Sequence, residues 1–230
     1  MYKRQLDYWP LKRFQGVQTS FDGIFPLKGS ANRSVWMRLL LEIPDSVLWL
    51  LQDNDDAPPN LRREAQRAGV DPQRLVFAPR VPVEDHLARH RRADLFLDTL
   101  PCNAHTTASD ALWAGLPVLT CVGGSFAGRV GATLLNAVGL PELVTRTLDE
   151  YASRALELAS DPDRLTGLRR RLAANRLTHP LFDTRRFCSH LEMAYSAMLG
   201  RHRQGLAPES FSIIPLPPHP VVASQVVTET

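Results

Sequence analysis

The sequence is poor in cysteine, in long apolar runs and in net charge, and each lack excludes something. Its three cysteines, Cys102, Cys121 and Cys188, are odd in number and far apart, which argues against a disulfide framework or a zinc cluster. Apolar stretches such as Ser46-Val-Leu-Trp-Leu-Leu51 fall well short of the roughly 20 residues that a membrane span needs. The start, Met1-Tyr-Lys-Arg-Gln-Leu-Asp-Tyr-Trp9, is basic but has no apolar core, so it does not read as a secretory signal. Lys and Arg number 27 against 24 Asp and Glu, a net charge of +3, and the concentrated basic face of a dedicated nucleic-acid binder is missing. There is no repeat of helical-hairpin length, no paired-carboxylate metal motif, and no glycine fingerprint after an early strand. Gly123-Gly124-Ser125 reads as a plain turn before a helix. The expectation is a soluble, cytoplasmic protein that meets neither nucleic acid nor membrane, with length enough at 230 residues for one or two domains.

What is present is an alternation. Residues 1–30 mix aromatic and charged residues without a helical or strand period, and no element is assigned between Tyr2 and Gly23. From Asn32 the pattern becomes regular. Helices are predicted over 32–43, 59–68, 83–91, 106–114 and 126–138, and strands over 46–51, 74–78, 93–97 and 117–121. The strands are short continuous apolar runs, as suits strands covered on both faces. Strand and helix in turn, with short connections, imply right-handed βαβ units and a doubly wound, Rossmann-like parallel sheet of the α/β class. Beyond Leu148 the strands stop, and three helices over 148–159, 162–176 and 183–200 form a helical flank. The middle one carries a stripe of Leu165, Leu168 and Leu172, and the last carries Phe187, Leu191, Tyr195 and Met198 at similar spacing. Residues 31–205 thus read as one lobe, and 206–230 as a proline-rich extended tail with Pro208, Pro215, Pro217, Pro218 and Pro220.

The stretch with most chemistry runs from Asp98 to Pro117. A buried strand ends at Leu97, a polar loop follows, and a helix begins near His105 or Thr106. In an open α/β sheet, ligands bind beyond the carboxyl ends of the strands. A helix start offers free N–H groups and the positive end of a dipole, which suit an anion. His105, Thr106 and Thr107 add an imidazole and two hydroxyls to those amides, the groups expected around a phosphate or diphosphate. Asp110, one turn on, suits sugar hydroxyls rather than phosphate. Spacing alone leaves the plainer reading standing, with Thr106 a helix cap, Thr107 a space filler and His105 a loop histidine. For His86 and Arg89 the residues alone favour solvent-facing side chains.

Leu97-Asp-Thr, the Pro101-Cys-Asn loop, His105-Thr-Thr and Asp110-Ala-Leu-Trp-Ala-Gly-Leu-Pro-Val118 together resemble the C-terminal catalytic lobe of the O-linked N-acetylglucosamine (O-GlcNAc) transferases, including bacterial relatives that carry tetratricopeptide repeats. Val35-Trp36 through Leu51, Arg74-Leu-Val-Phe-Ala-Pro79 with Glu84-Asp-His86, Arg129-Val130, and Pro180-Leu-Phe-Asp183 agree in the same order, so the resemblance covers about Ala31 to Gly205. It implies the C-terminal lobe of a GT-B glycosyltransferase, whose two Rossmann-like lobes enclose the donor UDP-N-acetylglucosamine (UDP-GlcNAc). Carried over by position, His105, Thr106 and Thr107 would surround the diphosphate, and Asp110 would reach the ribose. His86 would lie near the nucleotide, and Arg89 with the Val81 backbone would border the uracil. Lys28 is the candidate for the family's lysine beside the leaving diphosphate, although it stands about one residue out of register and lacks the usual tyrosine. Some relatives also have a lysine where Val83 stands.

The implied reaction is inverting transfer of GlcNAc to a Ser or Thr hydroxyl of a protein, with no metal or other cofactor. The family's N-terminal lobe and its peptide-binding repeats are expected before residue 1, so the chain reads as the donor-binding part of such an enzyme. Two other readings stay open. One is a non-catalytic nucleotide-sugar-binding module or remnant; the other is a different Rossmann-like enzyme, against which the missing glycine fingerprint counts.

Overall fold

The computed structural model describes residues 12–16, 31–52 and 54–217. Six strands form one parallel sheet in the order β3-β2-β1-β4-β5-β6. They are β1 (Lys12–Gly16), β2 (Ser46–Leu51), β3 (Leu75–Ala78), β4 (Leu95–Leu97), β5 (Val118–Cys121) and β6 (Val144–Thr145). The crossovers between them carry α1 (Ala31–Glu42), α2 (Ala57–Arg67), α3 (Val83–His90), α4 (Thr106–Trp113) and α5 (Val130–Ala137). Beyond β6 come α6 (Leu148–Ser160), α7 (Pro162–Asn175) and α8 (Thr184–Arg203). Every registered strand pair is parallel, and the strand order is that of the doubly wound Rossmann sheet.

The apolar runs are strands because both faces of the sheet are covered. Leu95, Phe96 and Leu97 of β4 are fully buried, as are Leu48 and Leu50 of β2. Trp36, Leu39 and Leu40 of α1 and Tyr151, Ala155 and Leu158 of α6 join the same core. In α7 the stripe Leu165, Leu168 and Leu172 is buried as the spacing requires. Helix ends follow local chemistry. Asn54 Oδ1 accepts from the amides of Asp56 and Ala57, so α2 starts two residues earlier than Pro59. It stops at Gly69, whose φ of +81° is open to glycine at little cost. Thr147, Asp161 and Asp183 cap α6, α7 and α8 by accepting from the amide three residues on.

The structure departs from expectation in four places. The segment 2–23, to which no element was assigned, contains β1, and β1 lies at the centre of the sheet between β2 and β4. A parallel ladder is made by backbone groups, so the mixed sequence Lys-Arg-Phe-Gln-Gly pairs without showing an apolar period. The helix expected from Phe126 begins at Val130, because residues 123–128 fold as a closed turn in which Gly123 donates its N–H to the Gly128 carbonyl. The two-residue strand β6 was not foreseen. Finally, α8 buries none of its residues among those described, and Phe187, Leu191, Tyr195 and Met198 remain exposed. The described part of the tail is irregular, and its Leu216 N–H donates to His190 Nε2 of α8 (2.8 Å).

Phe96 is wholly enclosed at the middle of the sheet. Replacing it with alanine leaves a cavity, and the Phe96→Ala chain is expected to lose about 3–5 kcal/mol in urea unfolding. A loss below about 1 kcal/mol would show that β4 is not the centre of the core.

Candidate functional site

The strand order reverses direction between β1 and β4, and a crevice opens beyond the carboxyl ends of neighbouring strands at such a switch point. The loop 98–105 leaves β4 at this place and delivers the chain to the start of α4. Its conformation is held from below by two buried polar side chains, each only 2% exposed. Asp98 Oδ1 accepts from the amides of Thr99 (2.8 Å) and Ala104 (2.6 Å), and Oδ2 accepts from the Thr120 hydroxyl on β5 (2.6 Å). Asn103 Nδ2 donates to the Thr99 carbonyl (2.8 Å), and Oδ1 accepts from the Gly131 amide of α5 (3.2 Å). The Tyr151 hydroxyl of α6 donates to the Asp98 carbonyl (2.9 Å). Burial pushes the Asp98 carboxyl up to about 6, against the opposing pull of its three donors and of His105. It also raises the Tyr151 phenol.

Above this polar floor stands the start of α4. His105 is the N-cap position, but its side chain caps nothing, so the first-turn amides are open to an outside acceptor. His105 and Thr106 are exposed and Thr107 is half-buried. The His105 ring meets the Phe126 ring edge to face, with centroids 6.3 Å apart, and its Nε2 lies 3.4 Å from the Ala127 carbonyl. The turn 123–128 packs against the loop 98–105 through the Asn103 amide, which donates to the Ala127 carbonyl (2.8 Å). That approach favours glycine, since a Cβ on Gly128 would sit a tight 3.0 Å from the Pro101 carbonyl and 3.1 Å from the Gly123 Cα. Arg129 reaches back to the Gly124 carbonyl (2.7 Å).

A second group of side chains lies on α3. Arg89 Nη1 donates to the Pro79 carbonyl (2.9 Å), Nη2 lies 2.6 Å from His86 Nδ1, and the guanidinium sits 5.6 Å over the Trp49 ring. Burial, and then the Arg89 charge, hold the His86 imidazole below its ordinary range. His90, fully buried, has Nδ1 2.6 Å from the His86 carbonyl and its ring edge-on to that of His86. Burial lowers its pKa to about 4, with Asp110 of α4 pulling the other way. Val81 lies in the loop between β3 and α3, partly exposed beside the Pro79 carbonyl that Arg89 grips.

The structure thus groups the expected residues as two sets, His105-Thr106-Thr107 at the start of α4 and Val81-His86-Arg89 around α3, with Asp110 one turn further along α4. Lys28 lies outside the described residues. Asp98, Asn103 and Thr120 were given no role from the sequence. A carboxylate directly after a fully apolar strand was the signal for Asp98, but its partner on β5, Thr120, is 22 residues away. Among the described residues no group of three or more His, Cys, Asp or Glu side chains could hold a metal ion, and no helix is long and apolar enough to cross a membrane.

The fold is that of a Rossmann-like lobe with an uncapped helix start at its switch point. Residues 18–191 match the description Glycosyl transferase family 41. Over 172 residues the chain is 37% identical to the UDP-N-acetylglucosamine--peptide N-acetylglucosaminyltransferase of Caenorhabditis elegans, a stretch that covers 75% of this chain and 15% of that protein. The Arabidopsis thaliana protein SEC is also 37% identical, over 182 residues that cover 79% of this chain and 19% of SEC. A solved O-GlcNAc transferase mutant from Thermobaculum terrenum superposes with a TM-score of 0.77 at 33% identity, covering 86% of this chain and 39% of that one. The chain belongs to glycosyl transferase family 41, and it spans less than a fifth of the length of the two curated relatives.

The buried carboxyl gives a pH signature. The folded state holds the Asp98 proton up to about 6, whereas the unfolded chain releases it near 3.8. Between these values the folded state binds more protons, so this group's contribution to stability falls as pH rises. His90 acts in the opposite sense over about 4 to 6.5, and comparison of Asp98→Asn with the unmodified chain cancels it. The variant is expected to gain on the parent by up to about 3 kcal/mol between pH 4 and pH 7 in urea titrations. A difference that is flat with pH would refute the assignment.

Proposed function

We propose that the chain is the donor-binding lobe of a UDP-GlcNAc:protein O-N-acetylglucosaminyltransferase, serving inverting transfer of GlcNAc to protein Ser or Thr hydroxyls with departure of UDP. The observation that carries this reading is the uncapped start of α4 at the sheet's switch point, with His105, Thr106 and Thr107 beside open amides, in a chain of family 41. There the amides and hydroxyls donate to the diphosphate, and the helix dipole favours its charge. Asp110 accepts from the ribose hydroxyls, His86 lies by the nucleotide, and Arg89 with the Val81 backbone borders the uracil. Lys28 offsets charge on the leaving diphosphate, an effect that can reach several kcal/mol. The proposal invokes no metal and no other cofactor, and it sets the reaction in the cytoplasm.

The lobe's share of catalysis is placement of the donor and stabilisation of the leaving group. Groups that receive the acceptor peptide belong to the other lobe of a GT-B enzyme. The 230-residue chain is therefore expected to bind UDP in calorimetry, and Thr107→Val, which keeps the shape and removes a hydroxyl donor, is expected to weaken binding about tenfold or more. No heat of UDP binding, or an unchanged affinity in the variant, would remove the site assignment. In a radiolabelled transfer assay the same purified chain is expected to leave protein acceptors unmodified. Efficient transfer would mean that the acceptor groups are already within it.

A further inference from the structure

We propose that Asp98 is a positioning residue for the donor site, acting only through the loop it holds; the proposal rests on the UDP-site reading above. Asp98 itself is beyond the reach of a ligand, at 2% exposure. Both donors to its Oδ1 belong to the loop that leads into α4, Thr99 at the loop's start and Ala104 at its end. Ala104 is directly followed by His105, so the carboxylate determines where α4 begins and where its open amides aim.

The other oxygen is fixed to a different strand. Thr120 donates to Oδ2 from β5, and the Thr120 carbonyl in turn accepts from the Thr145 hydroxyl of β6 (2.9 Å). The carboxylate is boxed in on the α5 side, where a Cβ on Gly131 would come within 2.4 Å of Oδ2 and 2.6 Å of the Thr120 hydroxyl. It therefore has one orientation, and the loop's two amides must come to it. An apolar side chain of similar size would leave both amides buried without acceptors, so the loop would have to rearrange to find others. Asn103 repeats the design a turn higher, tying the loop to α5 through the Gly131 amide.

A charge is not what the loop needs. Asparagine can accept the two amides at Oδ1 and offer its Nδ2 to the Thr120 oxygen, and it removes a negative charge from beneath an anion site. This separates positioning from electrostatics and from stability alone. With the full chain, UDP affinity and amide hydrogen exchange are measured for Asp98→Ala, Asp98→Asn and Thr120→Val under conditions where each is folded.

Asp98→Ala is expected to weaken UDP about tenfold or more and to speed exchange at Ala104 by a similar factor. The Phe96 amide, bonded to the Pro117 carbonyl (2.9 Å) in the sheet, is expected to keep its protection. Asp98→Asn is expected to stay within about threefold of the parent in both readouts, because its hydrogen bonds survive. Thr120→Val, which frees one carboxylate oxygen without touching the loop, is expected to fall between them, and it carries the test if the alanine variant does not fold.

Unchanged Ala104 exchange in the folded alanine or valine variant would overturn the proposal. So would an asparagine variant as impaired as the alanine one, which would indicate a role for the charge. Failure of the parent chain to bind UDP would instead reject the donor-site reading, while the exchange arm would still decide whether Asp98 sets the loop.

Discussion

A single buried carboxylate joins the parts of this lobe that must agree for a ligand site to exist. Where β4 ends, its last backbone groups must pass from a sheet into a loop without leaving donors stranded in the interior, since a buried amide without an acceptor is costly. Asp98 meets that constraint with one side chain. It takes two loop amides and a hydroxyl from the next strand, and its own carbonyl takes the Tyr151 hydroxyl. The cost is a carboxyl that burial pushes up to about 6. It is tolerated because three donors converge on the group.

With the loop so held, the exposed chemistry above it is simple. The uncapped start of α4 carries the exposed Thr106 and the half-buried Thr107, and the half-buried pair His86 and Arg89 stands on the neighbouring helix. The arrangement separates a donor-rich helix start, suited to phosphate oxygens, from the α3 side, where a planar cation covers an indole and is tied to a backbone carbonyl. Asp110, one turn along α4, is the acidic member of the expected set. This division of labour agrees with membership of family 41, in which the relatives compared act on a nucleotide sugar by name.

Much of the lobe was legible in residue order. The runs Ser46 to Leu51 and Leu95 to Leu97 are strands because they are apolar without interruption, and α7 shows its buried stripe in the spacing of three leucines. The helix start at Thr106 was read from strand, polar loop and hydroxyl pair in succession. The central strand was not legible, because Lys12 to Gly16 has no apolar period and its pairing is made by the backbone. Nor was the turn before α5, where close contact between Gly123 and Gly128 replaces the first helical turn expected from Phe126.

The sequence by itself determined the class of fold and the chemical character of the site, because apolar periodicity and helix-start chemistry are carried by residues near one another in the chain. Only the tertiary structure decided the strand order, the placing of α3 beside α4, and the role of Asp98. These depend on partners such as Thr120 and Tyr151, 22 and 53 residues further on. No local pattern encodes such contacts, since they exist only after the sheet has brought its carboxyl ends together.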